Sequence, residues 1–251
     1  MLSSGEIWQK WGGIAAGKAK LPAGKCFLLA VLAGLYIALG AVGCTAAQAN
    51  LTGSAGKLAG ACVFPAGLIL VVLAGAELFT GNCLMAGPAA AGKVPWRGVL
   101  RNWGVVYLGN LAGALLAAGI MYAGGFLQGT LGEAAAQIAR NKCALGFFPA
   151  LVRGAACNIL VCGAVWMASG AESAGGKAAC CFFPVMLFVL CGFEHSVANM
   201  YYIPAGMLAG AEETAGGFLL NNLLPVTLGN LLGGAGLSLV YMGIHHEQRS
   251  A

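Results

Sequence analysis

Long apolar runs separated by short polar breaks organise this chain. The runs cover roughly 26–48, 60–90, 99–123, 150–169, 179–208 and 222–244. The breaks fall near Gln48–Lys57, Lys93–Arg101, Gln128–Lys142, Ser169–Lys177 and Ala209–Asn222, and a polar tail follows His245. Roughly 20 apolar helical residues cross a bilayer core, so the pattern predicts an all-α membrane protein with six transmembrane helices. The second and fifth runs, at about 30 residues, are too long for one simple crossing. Each holds a glutamate in mid-run with an asparagine shortly after it: Glu77-Leu-Phe-Thr-Gly-Asn82 and Glu194-His-Ser-Val-Ala-Asn199.

The echo extends one run further. Leu108-Gly-Asn110-Leu111 in the third run recurs as Leu228-Gly-Asn230-Leu231 in the sixth, at nearly the spacing that separates the two Glu–Asn pairs. This predicts a duplicated three-helix unit, about 26–123 and 150–244, within a single transmembrane domain spanning 1–251. Residues 1–25 form an N-terminal segment and 245–251 a tail. An odd number of crossings turns the second copy upside down. Inverted repeats with helices interrupted at matching positions point to a transport site near the midplane.

Composition decides what surrounds the chain. It is 59% hydrophobic and only 8% charged, with a mean hydropathy of +0.83. A soluble domain carries about 25% charged residues, so the outer solvent here is lipid. The net charge of +5 rests on few groups. No basic run or basic–aromatic stripe suggests nucleic acid, and the sign bias is better read as topology. With the N-terminus inside, Lys10, Lys18, Lys20, Lys25, Lys93, Arg97, Arg101, Lys177 and Arg249 fall on the inner side. Lys57, Arg140, Lys142 and Arg153 fall on the outer side. The imbalance places both termini in the cytoplasm of a cell-membrane protein. The stretch Ser3–Leu21, with Trp8 and Trp11, fits either the membrane interface, the simpler reading, or a plug of the pore from inside. The first apolar run starts near Cys26 with no cleavage-site pattern behind it, so no signal peptide is expected.

The ten cysteines lie mostly inside apolar runs, without a CxxC, and Cys180–Cys181 lacks metal-site spacing. They read as small core hydrophobes. No metal site or cofactor is expected. A membrane haem or quinone enzyme would need axial ligands or redox-active pairs, so the chain is not expected to be an enzyme.

Charged groups at membrane depth cost on the order of 2.5–3.5 kcal/mol by insertion scales, so Glu77, Glu194 and His195 must face protein interior or water. A helix break also leaves backbone N–H and C=O groups that lipid cannot satisfy. Glu77, Asn82, Glu194, Ser196, Asn199, Asn110 and Asn230 are expected to support the breaks by hydrogen bonding rather than to touch substrate. His195 is the histidine within an apolar run, His245 and His246 being assigned to the tail. An isolated imidazole at membrane depth is a pore-facing candidate, as proton donor or hydrogen-bond donor to a passing anion. Thr80 would place its hydroxyl beside it if the two breaks meet. Phe64 and Leu68 share one helical face, and Phe188 shares a face with His195. Both ordinary packing, the simpler reading, and a dry constriction fit that spacing.

Ala76-Glu-Leu-Phe-Thr-Gly-Asn82 and Gly192-Phe-Glu-His-Ser-Val-Ala-Asn-Met-Tyr-Tyr-Ile-Pro204 resemble the two signatures of the formate/nitrite transporter family. Asn221-Asn-Leu-Leu-Pro-Val-Thr-Leu-Gly-Asn230 extends the likeness to the last helix. The resemblance implies an aquaporin-like fold of six helices, the second and fifth broken, assembled as a homopentamer with one pore per protomer. It implies as partners small monovalent anions with their conjugate acids: formate, nitrite, hydrosulfide and in some members lactate. The family's central histidine maps onto His195, its paired threonine onto Thr80, and its outer-vestibule lysine onto Lys142, in the loop before the fourth run. Its constriction positions map onto Phe64, Leu68, Leu78, Phe79, Val161 and Phe188. Transport would be proton-linked through the central histidine. The alternative, an aquaporin-like channel for a neutral solute, resembles chains with paired Asn-Pro-Ala motifs, and none occurs here.

Overall fold

The structure is a computed structural model that describes residues 1–51 and 53–246. Arg249, counted above on the inner side, and the tail residues 247–251 lie outside the described residues. Among the described residues the chain is helical, with no strand. A first helix, α1 (Ser4–Lys20), precedes α2 (Ala23–Asn50). The second crossing consists of α3 (Gly53–Val63), α4 (Ala66–Ala74) and, beyond a break, a helical stretch of α5 (Phe79–Asn82), one 3-10 turn and α6 (Ala86–Ala90). Then come α7 (Trp96–Ala123), α8 (Gly129–Cys143) and α9 (Phe147–Gly170). The fifth crossing is α10 (Ala174–Leu190), a break, and α11 (Ser196–Leu208). A π-helical turn (Gly217–Leu223) leads into α12 (Leu224–His246).

Five of the helical segments are long and apolar enough to cross a membrane, and Ala174–Leu190 is a shorter apolar helix on the fifth run. The chain is therefore a multi-pass membrane protein of two inverted three-crossing repeats, with the middle crossing of each repeat broken.

Small residues set the distance between the outer helices of each repeat. α2 packs on α7, and α9 packs on α12 in the same manner. A Cβ at Gly113 would run into the carbonyl oxygen of Val31, and one at Gly233 into that of Ala155. Close backbone approach of this kind is how membrane helices associate when lipid supplies no hydrophobic drive. We expect Gly113→Ala or Gly233→Ala to lower stability by about 1–3 kcal/mol through overpacking. A melting curve of the detergent-solubilised protein measures it.

Each break has a glycine at its entry. Gly75 (φ +80°) ends α4 and Gly192 (φ +70°) follows α10, both in the left-handed region that side chains disfavour. The chain then runs extended for a few residues before the next half-helix begins.

Three expectations change. The polar break Gln128–Lys142 is mostly helix: α8 buries Gly132, Ala135, Ala136, Ala139 and Cys143 along one face and exposes Glu133, Gln137, Arg140 and Asn141. Low hydropathy hid a helical period. Lys142 therefore sits in the last turn of a helix, not in a loop. Trp8 and Trp11 do not present their rings to lipid or solvent but are buried against the rest of the chain, at 1% and 2% exposure. Trp11 Nε1 donates to Ser169 Oγ at 3.0 Å, and the Lys93 ammonium lies 4.5 Å from the Trp8 ring centroid. His245 belongs to α12 rather than to a polar tail; it is buried, with Nε2 2.9 Å from Ser4 Oγ.

The start of α1 carries a capping box. The Glu6 amide donates to Ser3 Oγ, and the Ser3 amide donates back to Glu6 Oε2 at 2.8 Å. The Ser3 hydroxyl, then its amide, hold the Glu6 carboxyl below the usual carboxylate value. A lowered folded-state value stabilises above the ordinary pKa and is lost as pH falls through the lowered one. Amide exchange at residues 3–7 is therefore expected to speed up in acid beyond its intrinsic pH dependence, and Ser3→Ala to produce that fraying at neutral pH.

Candidate functional site

The two breaks meet inside the helical bundle. Thr80 Oγ1 and His195 Nε2 lie 2.9 Å apart, and both residues are buried. His195 also caps α11: its Nδ1 accepts the Ala198 amide at 3.1 Å. A backbone N–H only donates, so Nδ1 is the acceptor. The neutral ring then carries its proton on Nε2 and donates it to Thr80. That leaves the Thr80 O–H proton for another acceptor. The Thr80 carbonyl is held from behind by Asn158 Nδ2 and Cys162 Sγ, each at 3.2 Å.

Two asparagines close the breaks in the same way. Asn110 Oδ1 accepts the Phe79 amide at 2.9 Å, and its Nδ2 donates to the carbonyls of Ala30 and Glu77 at 2.8 and 2.9 Å. Asn230 Oδ1 accepts the Ser196 amide at 2.9 Å, and its Nδ2 donates to the carbonyls of Gly154 and Glu194 at 2.8 and 2.9 Å. Each amide thus serves a helix start and the extended strand before it, groups that would otherwise be orphaned in a low-dielectric interior. Ser196 takes part through its backbone only. Its buried Oγ has no hydrogen-bond partner among the described residues, which corrects the expectation that its side chain supports the break.

Beyond each break lies a closed polar ring. Lys18 Nζ pairs with Glu77 Oε1 at 2.6 Å, Asn82 Nδ2 donates to Glu77 Oε2 at 2.7 Å and to Asn102 Oδ1 at 2.8 Å, and Asn102 Nδ2 returns to the Lys18 carbonyl at 3.3 Å. In the other repeat Lys142 Nζ lies 3.0 Å from both Glu194 oxygens. Asn199 Nδ2 donates to Glu194 Oε2 at 2.6 Å and to Asn222 Oδ1 at 2.7 Å, and Asn222 Nδ2 returns to the Lys142 carbonyl at 2.9 Å. Lys142 also lies 5.2 Å from the Tyr202 ring centroid, within cation–π range. Sequence reading missed Lys18, Asn102, Asn158 and Asn222. Their partners are distant in the chain, although Asn102 and Asn222 recur at the same spacing as Asn110 and Asn230.

These rings border two vestibules on opposite sides of the midplane. The Lys142 vestibule holds about 480 Å³ and reaches Phe64, Phe188 and His195. The Lys18 vestibule holds about 320 Å³ and reaches Leu78. Between them is a void of only about 10 Å³, lined by Ile37, Phe64, Leu68, Leu78, Val161, Val185, Phe188 and His195. Five of the six residues expected at a constriction gather there. Phe79 does not: its ring packs edge-on against Tyr107, with centroids 4.9 Å apart. Ile37 and Val185 line the void without having been singled out, because an apolar residue on a pore and one in a core look alike in sequence. Phe188 is stacked beside the His195 ring at 5.9 Å and meets Phe64 edge-on at 5.6 Å. The arrangement is therefore two lysine-bearing vestibules joined by a narrow apolar neck, which His195 lines and beside which Thr80 pairs with it.

A family model described as formate/nitrite transporter matches residues 5–243. A probable formate transporter of Methanothermobacter thermautotrophicus is 42% identical over 244 residues, covering 88% of this chain and 89% of the relative. A solved structure described as a pentameric formate channel with formate bound is 37% identical, with a TM-score of 0.81 over 90% of this chain and 97% of that one. A second, described as an FNT family ion channel, is 30% identical, with a TM-score of 0.87 over 98% of this chain and 99% of that one.

Proposed function

The chain belongs to the formate/nitrite transporter family, a family of membrane channels and transporters rather than enzymes, and from that premise we propose that it conducts formate or a similarly small weak-acid anion through a pore in each protomer. The observation that carries this reading is His195, paired with Thr80 and lining a narrow apolar neck between two lysine-bearing vestibules. Lysines at the two mouths draw anions in. A bare anion loses most of its hydration in a neck lined by Phe64, Leu68, Leu78, Val161 and Phe188, whereas its neutral conjugate acid loses far less. His195, donating through Thr80, offers the one polar contact at the narrowest point. Chloride, whose acid is far stronger, has no neutral form to use. Flux is thus linked to protons through the acid of the substrate.

The geometry favours hydrogen bonding over proton storage for His195. A second proton would have to enter at Nδ1 and break the Ala198 bond that starts α11. We assign Glu77, Asn82, Asn110, Glu194, Asn199 and Asn230 to holding the two half-helices in place. The assembly proposed is a homopentamer, in line with the relative described as pentameric. Exposed Leu28, Leu100, Leu108 and Leu232 leave apolar surface for lipid or neighbouring protomers. Lys10, Lys18 and Lys177 share one vestibule, and we place that side and both termini in the cytoplasm of the cell membrane. The repeats sit within one domain, and α1 and α8 extend them backward by matching positions.

Uptake into proteoliposomes decides between substrates. Formate, nitrite, hydrosulfide, acetate and chloride are compared at several pH values. The expected result is formate flux that rises as pH falls, with chloride excluded. Water or glycerol permeation without anion flux would favour the neutral-solute alternative.

A further inference from the structure

The polar rings at the two vestibules match residue for residue. Lys18, Glu77, Asn82 and Asn102 on one side correspond to Lys142, Glu194, Asn199 and Asn222 on the other. The extended strand of each break is anchored by its glutamate amide to a carbonyl of the first helix in its own repeat. Glu77 N donates to Leu29 O at 3.2 Å, and Glu194 N donates to Arg153 O at 3.3 Å. Where one repeat has a leucine, its partner has an arginine.

Arg153 lines the Lys142 vestibule together with Lys57. The salt bridges among the described residues are Met1–Glu172, Lys18–Glu77 and Lys142–Glu194, so neither Arg153 nor Lys57 has a carboxylate partner there. Asn141, on the same wall, has its side-chain oxygen taken by Gln137 at 2.8 Å, which leaves its amide N–H groups as donors. Three cations from α3, α8 and α9 and a donor amide thus face about 480 Å³, with Glu194 as the acid on that lining. A formate ion fills little of that space and answers one charge.

We propose that this vestibule binds a short dicarboxylate dianion, with Arg153 as the deciding residue, and that the bound dianion obstructs the pore from this side. The inference rests on the pore assigned above. A guanidinium fork holds one carboxylate in a bidentate fashion, which a lysine cannot do. The second carboxylate then lies toward Lys57 or Lys142. A dianion gains more than a monoanion from these cations, yet it cannot follow formate, because crossing the apolar neck in neutral form takes one proton for formate and two for the dianion. The Lys18 vestibule is a poorer host. Leucine stands at the matching position, and Lys10 is already bonded to the Ser169 carbonyl at 2.7 Å.

The test uses oxalate as probe. Formate uptake into proteoliposomes is titrated with external oxalate, and sodium chloride holds ionic strength constant. Wild-type uptake is expected to be inhibited by oxalate, and Arg153→Leu, which copies the other repeat, to raise the inhibition constant by about tenfold or more. Arg153→Lys keeps the charge without the fork and is expected to fall between the two; it decides the matter if the leucine variant does not fold. Formate uptake indifferent to oxalate, or inhibited equally in wild type and either variant, overturns the proposal. Calorimetric titration of oxalate into the detergent-solubilised protein separates the two readings. Arg153-dependent binding without formate flux would fault the assigned pore, and formate flux without oxalate binding would fault this site.

Discussion

Exchange of His195 for asparagine is expected to leave a folded protein whose formate flux falls by about 10- to 100-fold, while glutamine restores most of it. The two nitrogens of the ring do different work. Nδ1 accepts the Ala198 amide and starts α11; Nε2 reaches Thr80 at 2.9 Å. Asparagine places an oxygen near Nδ1 and is a good helix cap, but it is too short to reach Thr80. Glutamine places an amide nitrogen near Nε2. A lost hydrogen bond to a charged group costs about 1.5–3 kcal/mol, which corresponds to the stated drop if that bond acts at the barrier. Neither substitute titrates, so the pH profile separates the two roles. If His195 acts as donor, the glutamine variant keeps the wild-type rise of flux toward acid pH, because that rise belongs to the substrate. A glutamine variant that conducts without pH dependence would make the ring a proton carrier and sink the hydrogen-bond reading. A variant as inactive as asparagine would remove the Thr80 contact from the mechanism.

The path to this pair is partly legible in the amino-acid sequence. Long apolar runs specify crossings because lipid tolerates little else. Two mid-run Glu–Asn pairs betray the breaks because a carboxylate at that depth has to be held by something. Asn110 and Asn230 stood out by their spacing, and their amides close the breaks. What stayed hidden has a common cause. The partner of Glu77 is Lys18, far away at the end of α1, a helix that buries Ile7, Trp8, Trp11 and Ala15 but is too polar to stand out as a crossing. Lys142 was placed in a loop because α8 is too polar to resemble a membrane helix and too short to dominate a hydropathy profile. Phe79 looked like a pore residue beside Leu78, but successive residues at the start of a half-helix point in different directions, and Phe79 turns to Tyr107. Ser196 drew notice as a polar side chain when only its amide is used. The Arg153–Leu29 mismatch becomes visible only once two carbonyls are seen to take equivalent glutamate amides.

Removing either member of the Lys142–Glu194 pair is expected to destabilise the protein by on the order of 3–5 kcal/mol, with a much smaller loss when both are removed. The side chains are 16% and 6% exposed, so each charge keeps little contact with water and depends on the other. Lys142→Met leaves Glu194 with the Asn199 donor but without its counter-ion. Glu194→Gln leaves a buried ammonium facing Tyr202 and an Asn199 amide that has lost its strongest acceptor. In the double variant the remaining groups are neutral, and the Asn199–Asn222 bond can persist. Melting curves of the three variants therefore measure a coupling free energy. Flux measured on the same proteins answers a different question. If Lys142 only staples the break, the double variant recovers both stability and transport. If it also draws anions into the vestibule, the double variant regains stability but keeps a raised KM for formate, and raising the salt concentration narrows the gap between it and wild type, because screening weakens the wild-type attraction. The matching Lys18–Glu77 pair, 19% and 8% exposed, is expected to show the same stability coupling. Independent, additive losses at either pair would mean that the rings are not cooperative units, and that the breaks are held by Asn110 and Asn230 alone.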